Sequence, residues 1–193
     1  MIASNDPRRR ALRVIGLALV PLVVLAGGCA TRNVISDGDD TRLMLRGNDP
    51  VAYFTEGRAV RGRADLKADH DAVTYRFANE ANRSAFVASP DRYVPAYGGV
   101  CSNGANYALK TAVGADTFKV YKGRLFMFGG PGALRHWEMD PDENIRLADG
   151  YWDNEMKDVP NKLQNLKRWV FRVPHYRSDA ELEAMWQARQ KAK

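Results

Sequence analysis

The stretch VTYRFANEANRSAFVASPDRYVPAYGGVC, residues 73–101, contains in succession the signals for a strand, a helix and a tight turn. Val73, Tyr75 and Phe77 alternate with more polar residues, which is typical of a half-buried strand. Asn79 then predicts the start of a helix, and Pro90 predicts its end. We therefore expect a strand followed by a short helix, with the helix packed on the strand.

The same stretch ends in two glycines followed by a cysteine. Gly98 and Gly99 permit backbone angles, or a close approach of the chain, that a Cβ atom would forbid. The turn delivers Cys101, which is one of two cysteines in the 193 residues. Its role is the main functional question that the sequence raises.

Further elements are predicted on both sides of this stretch. Residues 117–128, TFKVYKGRLFMF, read as a hairpin in which Gly123 supplies the positive φ of the turn. Residues 133–138 read as a short helix. In DPVAYFTEG, residues 49–57, the β-forming residues between a proline and a glycine predict a short strand.

Residues 48–140 resemble the YHS domain family. Three stretches carry the resemblance: DPVAYFTEGRAVRGRADL, VTYRFANEANRSAFVASPDRYVPAYGGVCSNG and FKVYKGRLFMF. The order and spacing of their shared frame are distinctive. The frame consists of Tyr75, Phe77, Asn82, Phe86, Pro90, Tyr93, Pro95, Tyr97, Gly98, Gly99 and Cys101.

The resemblance implies an α+β fold in which a small antiparallel sheet packs against a helix. It also implies an association with metal ions, because YHS domains occur beside heavy-metal transport modules. One branch of the family carries a cysteine in a DPVCGM-like segment. Here the segment reads NDPVAYF, with Ala52 at the position of that cysteine, so the chain resembles the exported branch and lacks one thiolate of a thiolate pair.

Residues 1–28 predict a lipoprotein-type signal peptide. Four arginines precede an apolar run over residues 14–26, which is short for a transmembrane anchor, the alternative interpretation. LAGGC, residues 25–29, resembles the lipobox of bacterial lipoproteins, which implies that Cys29 is acylated and anchors the protein in a membrane. Ala30 implies the outer membrane, and we expect an exported protein that faces the periplasm. The polar residues 29–47 read as a tether.

The distribution of charge argues against nucleic acid as a partner. The formal net charge is +6, but residues 29–160 hold 17 Lys/Arg against 19 Asp/Glu, a net charge of −2. Residues 161–193 hold eight Lys/Arg against three acids, a net charge of +5. A nucleic-acid reader carries a basic face on its folded body, whereas here the basic residues are at the two ends.

Three interpretations of Cys101 follow from its residue type. In the first interpretation, Cys101 is a metal ligand together with His70 and His136, and copper or zinc is the expected ion. In the second, it is a catalytic thiol, which requires a base within hydrogen-bond reach. In the third, it is a small buried side chain, since free cysteine is among the most buried residue types. The scattered histidines and the absence of a C-x-x-C motif favour the buried side chain.

Residues 141–193 form a basic C-terminal extension beyond the resemblance. Ser178 and Glu181 form a capping box at the start of a helix that places Leu182, Met185, Trp186 and Arg189 on one face. A second amphipathic run, KLQNLKRWVFRV, lies at residues 162–173. This run has three alternative interpretations: an arm packed on the body, a segment that rests on anionic lipid, or a site for a protein partner. Pro174 and the short helices favour the packed arm.

The function that these features predict is that of a lipid-anchored cell-envelope YHS-domain protein, acting as a binding or accessory module. Association with a copper or zinc ion at Cys101, His70 and His136 is part of this expectation. The alternative is a thiol- or metal-dependent envelope enzyme that uses Cys101. An enzyme needs Cys101 or a histidine exposed in a cleft beside a second polar group, whereas a module needs neither.

Overall fold

The computed structural model describes residues 31–192, so the predicted signal peptide and the predicted lipidation site Cys29 lie outside the described part. Four strands form the larger sheet: β1 (Val34–Asp37), β2 (Asp40–Met44), β3 (Arg63–His70) and β4 (Val73–Phe77). They are ordered β1-β2-β4-β3. The smaller sheet is a hairpin of β5 (Phe118–Tyr121) and β6 (Arg124–Met127).

Seven α-helices accompany the sheets within the described residues. They are α1 (Ala52–Thr55), α2 (Glu80–Ala88), α3 (Ser102–Ala105), α4 (Pro131–Trp137), α5 (Pro141–Tyr151), α6 (Asn161–Val170) and α7 (Asp179–Lys191). A π-helical turn, Trp152–Met156, continues α5. No helix among residues 31–192 combines the length and hydropathy needed to cross a bilayer.

The α+β class and the helical C-terminal extension are confirmed. The larger sheet differs from the expected antiparallel sheet in one pairing, because β2 runs parallel to β4 with Leu43 opposite Thr74. The other pairings, β1 with β2 and β3 with β4, are antiparallel. The sheet is therefore mixed.

The expectation of a tether over residues 29–47 is wrong for the part that forms β1 and β2. The acidic residues that made this segment look like a solvated linker are partners of basic residues in the sheet. The buried Arg76 donates to Asp40 and to Asp37, each at 2.7 Å, and Lys67 donates to Asp40 at 2.6 Å. Hydrogen bonds from Lys67 and Arg76 hold the pKa of Asp40 below its ordinary value. The charges thus attach β1 and β2 to the fold.

The strand expected over residues 49–57 is also wrong, because this segment contains helix α1. The cause is Asp49, whose side chain is fully buried. Its Oδ1 accepts hydrogen bonds from the N–H groups of Val51 and Ala52, which bends the chain into a helical turn. Its Oδ2 accepts from the N–H of Ala78, at 2.8 Å, and from Nδ2 of Asn82, at 2.7 Å. One carboxylate therefore joins α1, the end of β4 and α2.

Strand β6 separates two hydrophobic cores. Leu125 and Met127 face the first core, which fills the space between the larger sheet, α1 and α2. Phe126 and Phe128, whose side chains alternate with these, face the second core. The second core surrounds the fully buried Trp137 and includes side chains from the C-terminal helices.

The local signals in the sequence are confirmed. Asn79 caps α2 by accepting from the N–H of Asn82 at 2.9 Å. Lys122 and Gly123 both have positive φ in the β5–β6 turn. Ser178 and Glu181 form the capping box of α7. The aromatic residues of the family frame lie mainly in the two cores, as the sequence pattern favours for a small domain.

A buried lysine connects the body to the C-terminal extension. Lys110 is 1 % exposed, and its Nζ donates to the carbonyls of Met156 and Val159, both at 2.8 Å. Nζ also lies 5.2 Å from the centroid of the Trp152 ring. Burial lowers the pKa of Lys110 to about 8, with a smaller contribution in the same direction from the charge of Arg32.

The first prediction concerns the Asp49 carboxylate. Asp49→Asn replaces an accepting oxygen by an NH₂ group facing a backbone N–H, which we expect to lower the free energy of unfolding by about 2–3 kcal/mol. Urea unfolding followed by circular dichroism measures the change. The control is Asp39→Asn at an exposed position of the β1–β2 turn, expected to stay within about 0.5 kcal/mol of the wild type. A loss below about 1 kcal/mol for Asp49→Asn would contradict the role given to this carboxylate.

The second prediction concerns the pH dependence of stability. Between about pH 8 and 10.5 the unfolded chain keeps a proton at Lys110 that the folded chain has released, so stability contributed by this residue rises with pH. A neutral amine still donates to both carbonyls. The difference in unfolding free energy between wild type and Lys110→Met should grow in favour of the wild type over this interval, by up to about 3 kcal/mol. A difference that does not change between pH 8 and 10.5 for Lys110→Met would contradict the prediction.

Candidate functional site

The candidate site is a cleft of about 750 Å³ between the body of the protein and α7. Its walls come from the turn after Cys101, from the start of α4 and from the first turns of α7. The titratable and nucleophilic side chains on these walls are Cys101, Tyr107, Arg135, His136, Tyr176, Arg177, Asp179 and Glu183. The cleft therefore exists only because the C-terminal extension folds back on the body.

Cys101 reaches this cleft through the glycine turn that the sequence singled out. Tyr97, Gly98 and Gly99 have φ values of 55°, 59° and 77°, a left-handed run that reverses the chain in a few residues. The N–H of Cys101 then donates to the carbonyl of Thr111 at 2.9 Å, and its own carbonyl accepts from Ala105 to begin α3. The residue is 6 % exposed. The expectation of a buried cysteine is confirmed.

His136 is held on α4 by a carboxylate from α7. Its Nε2 lies 3.0 Å from Oε2 of Glu183, and the ring is 6 % exposed. Arg135 donates to the same oxygen at 2.7 Å. Hydrogen bonds from Gln187, Arg135 and His136 lower the pKa of Glu183 to about 2, so this carboxylate is ionised at neutral pH. An ionised carboxylate only accepts hydrogen bonds, which places a proton on Nε2 of His136.

The other ring nitrogen of His136 is the unusual atom of the site. Nδ1 is buried and has no hydrogen-bond partner among residues 31–192. In the neutral ring with a proton on Nε2, Nδ1 carries a free lone pair. The Glu183 contact fixes this tautomer, as carboxylates commonly do for histidines that bind metals or accept protons. His136 is thereby arranged to accept a proton or to ligate.

The structure places His70 away from the other two predicted ligands. Its Nε2 lies 3.3 Å from Oδ1 of Asp91, and it lines a separate cavity of about 350 Å³ beside Arg32 and Tyr97. Cys101 and His136 share the cleft, but His70 does not join them. Within the described part of the chain, no three His, Cys, Asp or Glu side chains are grouped closely enough to hold a metal ion. The three-ligand site Cys101, His70 and His136 is therefore not assembled.

Several residues of the cleft were not predicted from the sequence. Glu183 lies in the chain 47 residues beyond His136, on a helix whose pattern is explained by its capping box and apolar face. Arg135 reads as an ordinary surface residue of a short helix. Beside the cleft, His175 stacks on Tyr107 with ring centroids 5.6 Å apart, and its Nε2 donates to the carbonyl of Asn106 at 2.8 Å. Only the return of α7 onto α4 brings these groups together, and local sequence carries no signal for that contact.

Comparisons with protein-family models, with curated proteins and with solved structures each found no match for this chain.

The third prediction concerns the reactivity of Cys101. In a Cys29→Ser background Cys101 is the sole thiol. Because its side chain is buried, we expect an aromatic disulfide reagent to label the native protein at least about 100-fold more slowly than the urea-unfolded protein, since labelling requires local opening. The measurement is the absorbance of the released thiolate over time. Equal rates in the two states would contradict the burial and favour a nucleophile exposed in the cleft.

Proposed function

We propose that the protein is a lipid-anchored envelope protein whose residues 48–140 form a YHS-type domain, and that it acts as a binding module facing the periplasm at the outer membrane. The N-terminal features support the anchor: a positive segment, an apolar run and the LAGGC sequence that ends at Cys29. The order and spacing of the frame residues support the domain assignment. The binding site of the module is the cleft between the body and α7.

The observation that carries the binding proposal is that Cys101 and His136 line one cleft while Glu183 fixes the tautomer of His136. A sulfur and an imidazole nitrogen form a soft donor set. Copper(I) prefers such donors and accepts low coordination numbers. A structural zinc site normally uses four protein ligands, and the described residues offer no such group. Copper(I) is therefore the metal that we propose for the cleft.

Binding at this site carries a proton cost that makes it dependent on pH. The Cys101 thiol must lose its proton to ligate, so the affinity for copper(I) should rise with pH. His136 needs no such loss at Nδ1 when its proton is on Nε2. Glu183 and Arg135 act through His136 and have no direct role as ligands. They are positioning residues that hold the imidazole in one orientation.

A thiol-dependent enzyme is the second candidate, and one contact favours it. The Glu183–His136 pair resembles the orienting pair of a nucleophile's general base, and Cys101 lies in the same cleft. The burial of Cys101 opposes this candidate, because a nucleophile must meet its substrate. The labelling experiment on Cys101 separates the two candidates.

The fourth prediction is that the unlipidated protein competes with a chromophoric copper(I) chelator under anaerobic, reducing conditions. We expect one copper(I) per chain in the Cys29→Ser background. Cys101→Ser and His136→Gln should each weaken binding by about tenfold or more. His70→Gln is the matched control, since His70 lines the other cavity, and should bind as the parent does.

Two outcomes would contradict the metal proposal: a folded parent protein that takes no copper from the chelator, or a loss of affinity in His70→Gln equal to that in His136→Gln.

The anchor is tested separately by labelled palmitate. The wild-type chain should incorporate the label in a bacterial host, and Cys29→Ser should not. Incorporation by both proteins, or by neither, would contradict acylation at Cys29.

A further inference from the structure

Helix α6 is docked on the body by its polar side. Gln164 is fully buried, and its Nε2 donates to the carbonyl of Ala108 at 2.9 Å. Asn165 makes two bonds to the backbone of Lys110: its Oδ1 accepts from the N–H at 2.8 Å, and its Nδ2 donates to the carbonyl at 3.1 Å. Arg168 and Lys167 pair with Glu155 next to this contact. The attachment of α6 is made of amides and charges.

The apolar side of α6 consequently faces outward. We define the α6 apolar face as Leu163, Leu166, Trp169, Val170 and Phe171, whose exposed fractions are 58, 57, 76, 54 and 69 %. Five of the six exposed large hydrophobic residues in the described part of the chain belong to this face. The arm that the sequence favoured does lie on the body, but the expectation that the apolar stripe of α6 is buried there is wrong. Helix α7 packs with Leu182 buried.

The α6 apolar face is a contiguous patch and not a set of scattered apolar side chains. Single exposed apolar residues are ordinary, whereas a contiguous patch on one helix marks a surface that something else covers. The residues Leu163, Leu166 and Val170 follow the i, i+3, i+7 spacing of one helix face, with Trp169 beside them. The patch is therefore regular and lies on a helix held by at least four hydrogen bonds.

The charges around the α6 apolar face are positive. Lys162 and Lys167 on α6, and Arg172 just after it, are exposed. Glu155 pairs with both Lys167 and Arg168. Over residues 161–193 eight Lys/Arg stand against three acids. Aromatic and aliphatic side chains bordered by lysines and arginines are typical of helices that lie in the interface of an anionic bilayer.

The described chain begins close to the base of α6. Arg32 and Trp152 both crowd the Cα of Gly98, since a Cβ there would lie 2.8 Å from Cγ of Arg32 and 3.2 Å from the Trp152 ring. Trp152 in turn lies against Lys110, whose backbone holds Asn165 of α6. The proposed anchor at Cys29 therefore attaches the chain to the membrane near the part of the body on which α6 is docked. This step rests on the proposed anchor.

We propose that the α6 apolar face lies in the interfacial layer of an anionic phospholipid bilayer. Trp169 and Phe171 occupy the boundary between headgroups and acyl chains, and Lys162 contacts the lipid phosphates, while Lys167 stays paired with Glu155. The helix lies along the membrane surface and does not cross it. Two contacts, the acyl chains at Cys29 and the α6 apolar face, then fix the orientation of the cleft relative to the membrane.

The fifth prediction tests the face without the anchor. Residues 29–193 with Cys29→Ser contain the residues of both cores described above and carry no acyl chain. We expect this protein to cosediment with phosphatidylcholine vesicles that contain phosphatidylglycerol, more weakly with pure phosphatidylcholine, and less at high salt. The double variant Leu166→Ser, Trp169→Ser should lose at least tenfold in partition coefficient. Val87→Ser removes the sixth exposed large hydrophobic residue, on α2, and should bind as the parent does.

The substituted side chains are exposed, so the melting temperature of each variant should match that of the parent, and circular dichroism checks this. Absence of vesicle binding by the folded parent would overturn the proposal, as would equal binding by the double variant. A dimer in light scattering that the same double variant dissociates would show that a second copy covers the face, and would also overturn it. The palmitate experiment reports on Cys29 alone, so a failed anchor and a failed lipid face give different results.

Discussion

The carboxylate of Asp49 is the contact on which the arrangement of the body depends. It is fully buried, and its two oxygens accept hydrogen bonds from the start of α1, from the end of β4 and from α2. These three segments line the first core, and α2 supplies Phe86 to it. A buried charge is stabilised only when each lone pair has a donor, so the donors must stay in place together. Asp49 thereby couples the helical turn at residues 52–55 to the strand and helix that lead toward Cys101.

The elements that could be predicted from the sequence are those with local causes. The cap at Asn79, the Lys122–Gly123 turn and the Ser178 capping box each depend on residues within a few positions of one another. The errors arose where a distant partner determines the structure. The acids of β1 and β2 are typical of a solvated linker in the sequence, but in the structure they pair with Arg76 and Lys67. The β-forming residues at 51–54 are helical because the Asp49 side chain accepts hydrogen bonds from the backbone there. Polarity in a sequence does not distinguish a solvent partner from a buried one.

The difference between local and distant causes also explains which residues of the candidate site could be predicted. Its cysteine could be found from the sequence, because a glycine turn before the sole cysteine of the body is a local signal. The grouping of Cys101 with His136 rather than His70 could not be found, because it depends on the β6 strand dividing two cores and on α7 returning to α4. Glu183 is the clearest case. Its sequence context is that of a surface acid on an amphipathic helix, yet it receives hydrogen bonds from Arg135, His136 and Gln187 and places a proton on Nε2 of the ring.

The orientation of α6 follows from the backbone that it covers. Residues 108–110 follow α3 and belong to no strand. The N–H groups of Ala108 and Leu109 donate to the carbonyls of Ala105 and Gly104, but the carbonyl of Ala108 and both backbone groups of Lys110 have no backbone partner among residues 31–192. Buried backbone groups must be hydrogen-bonded, and the side-chain amides of Gln164 and Asn165 provide those bonds. A helix that presents its amides to the body cannot present its leucines to it as well. The exposed α6 apolar face is therefore the structural consequence of satisfying an irregular backbone segment, and the bonds that hold the polar side inward also hold the apolar side in a fixed outward position, available to a membrane.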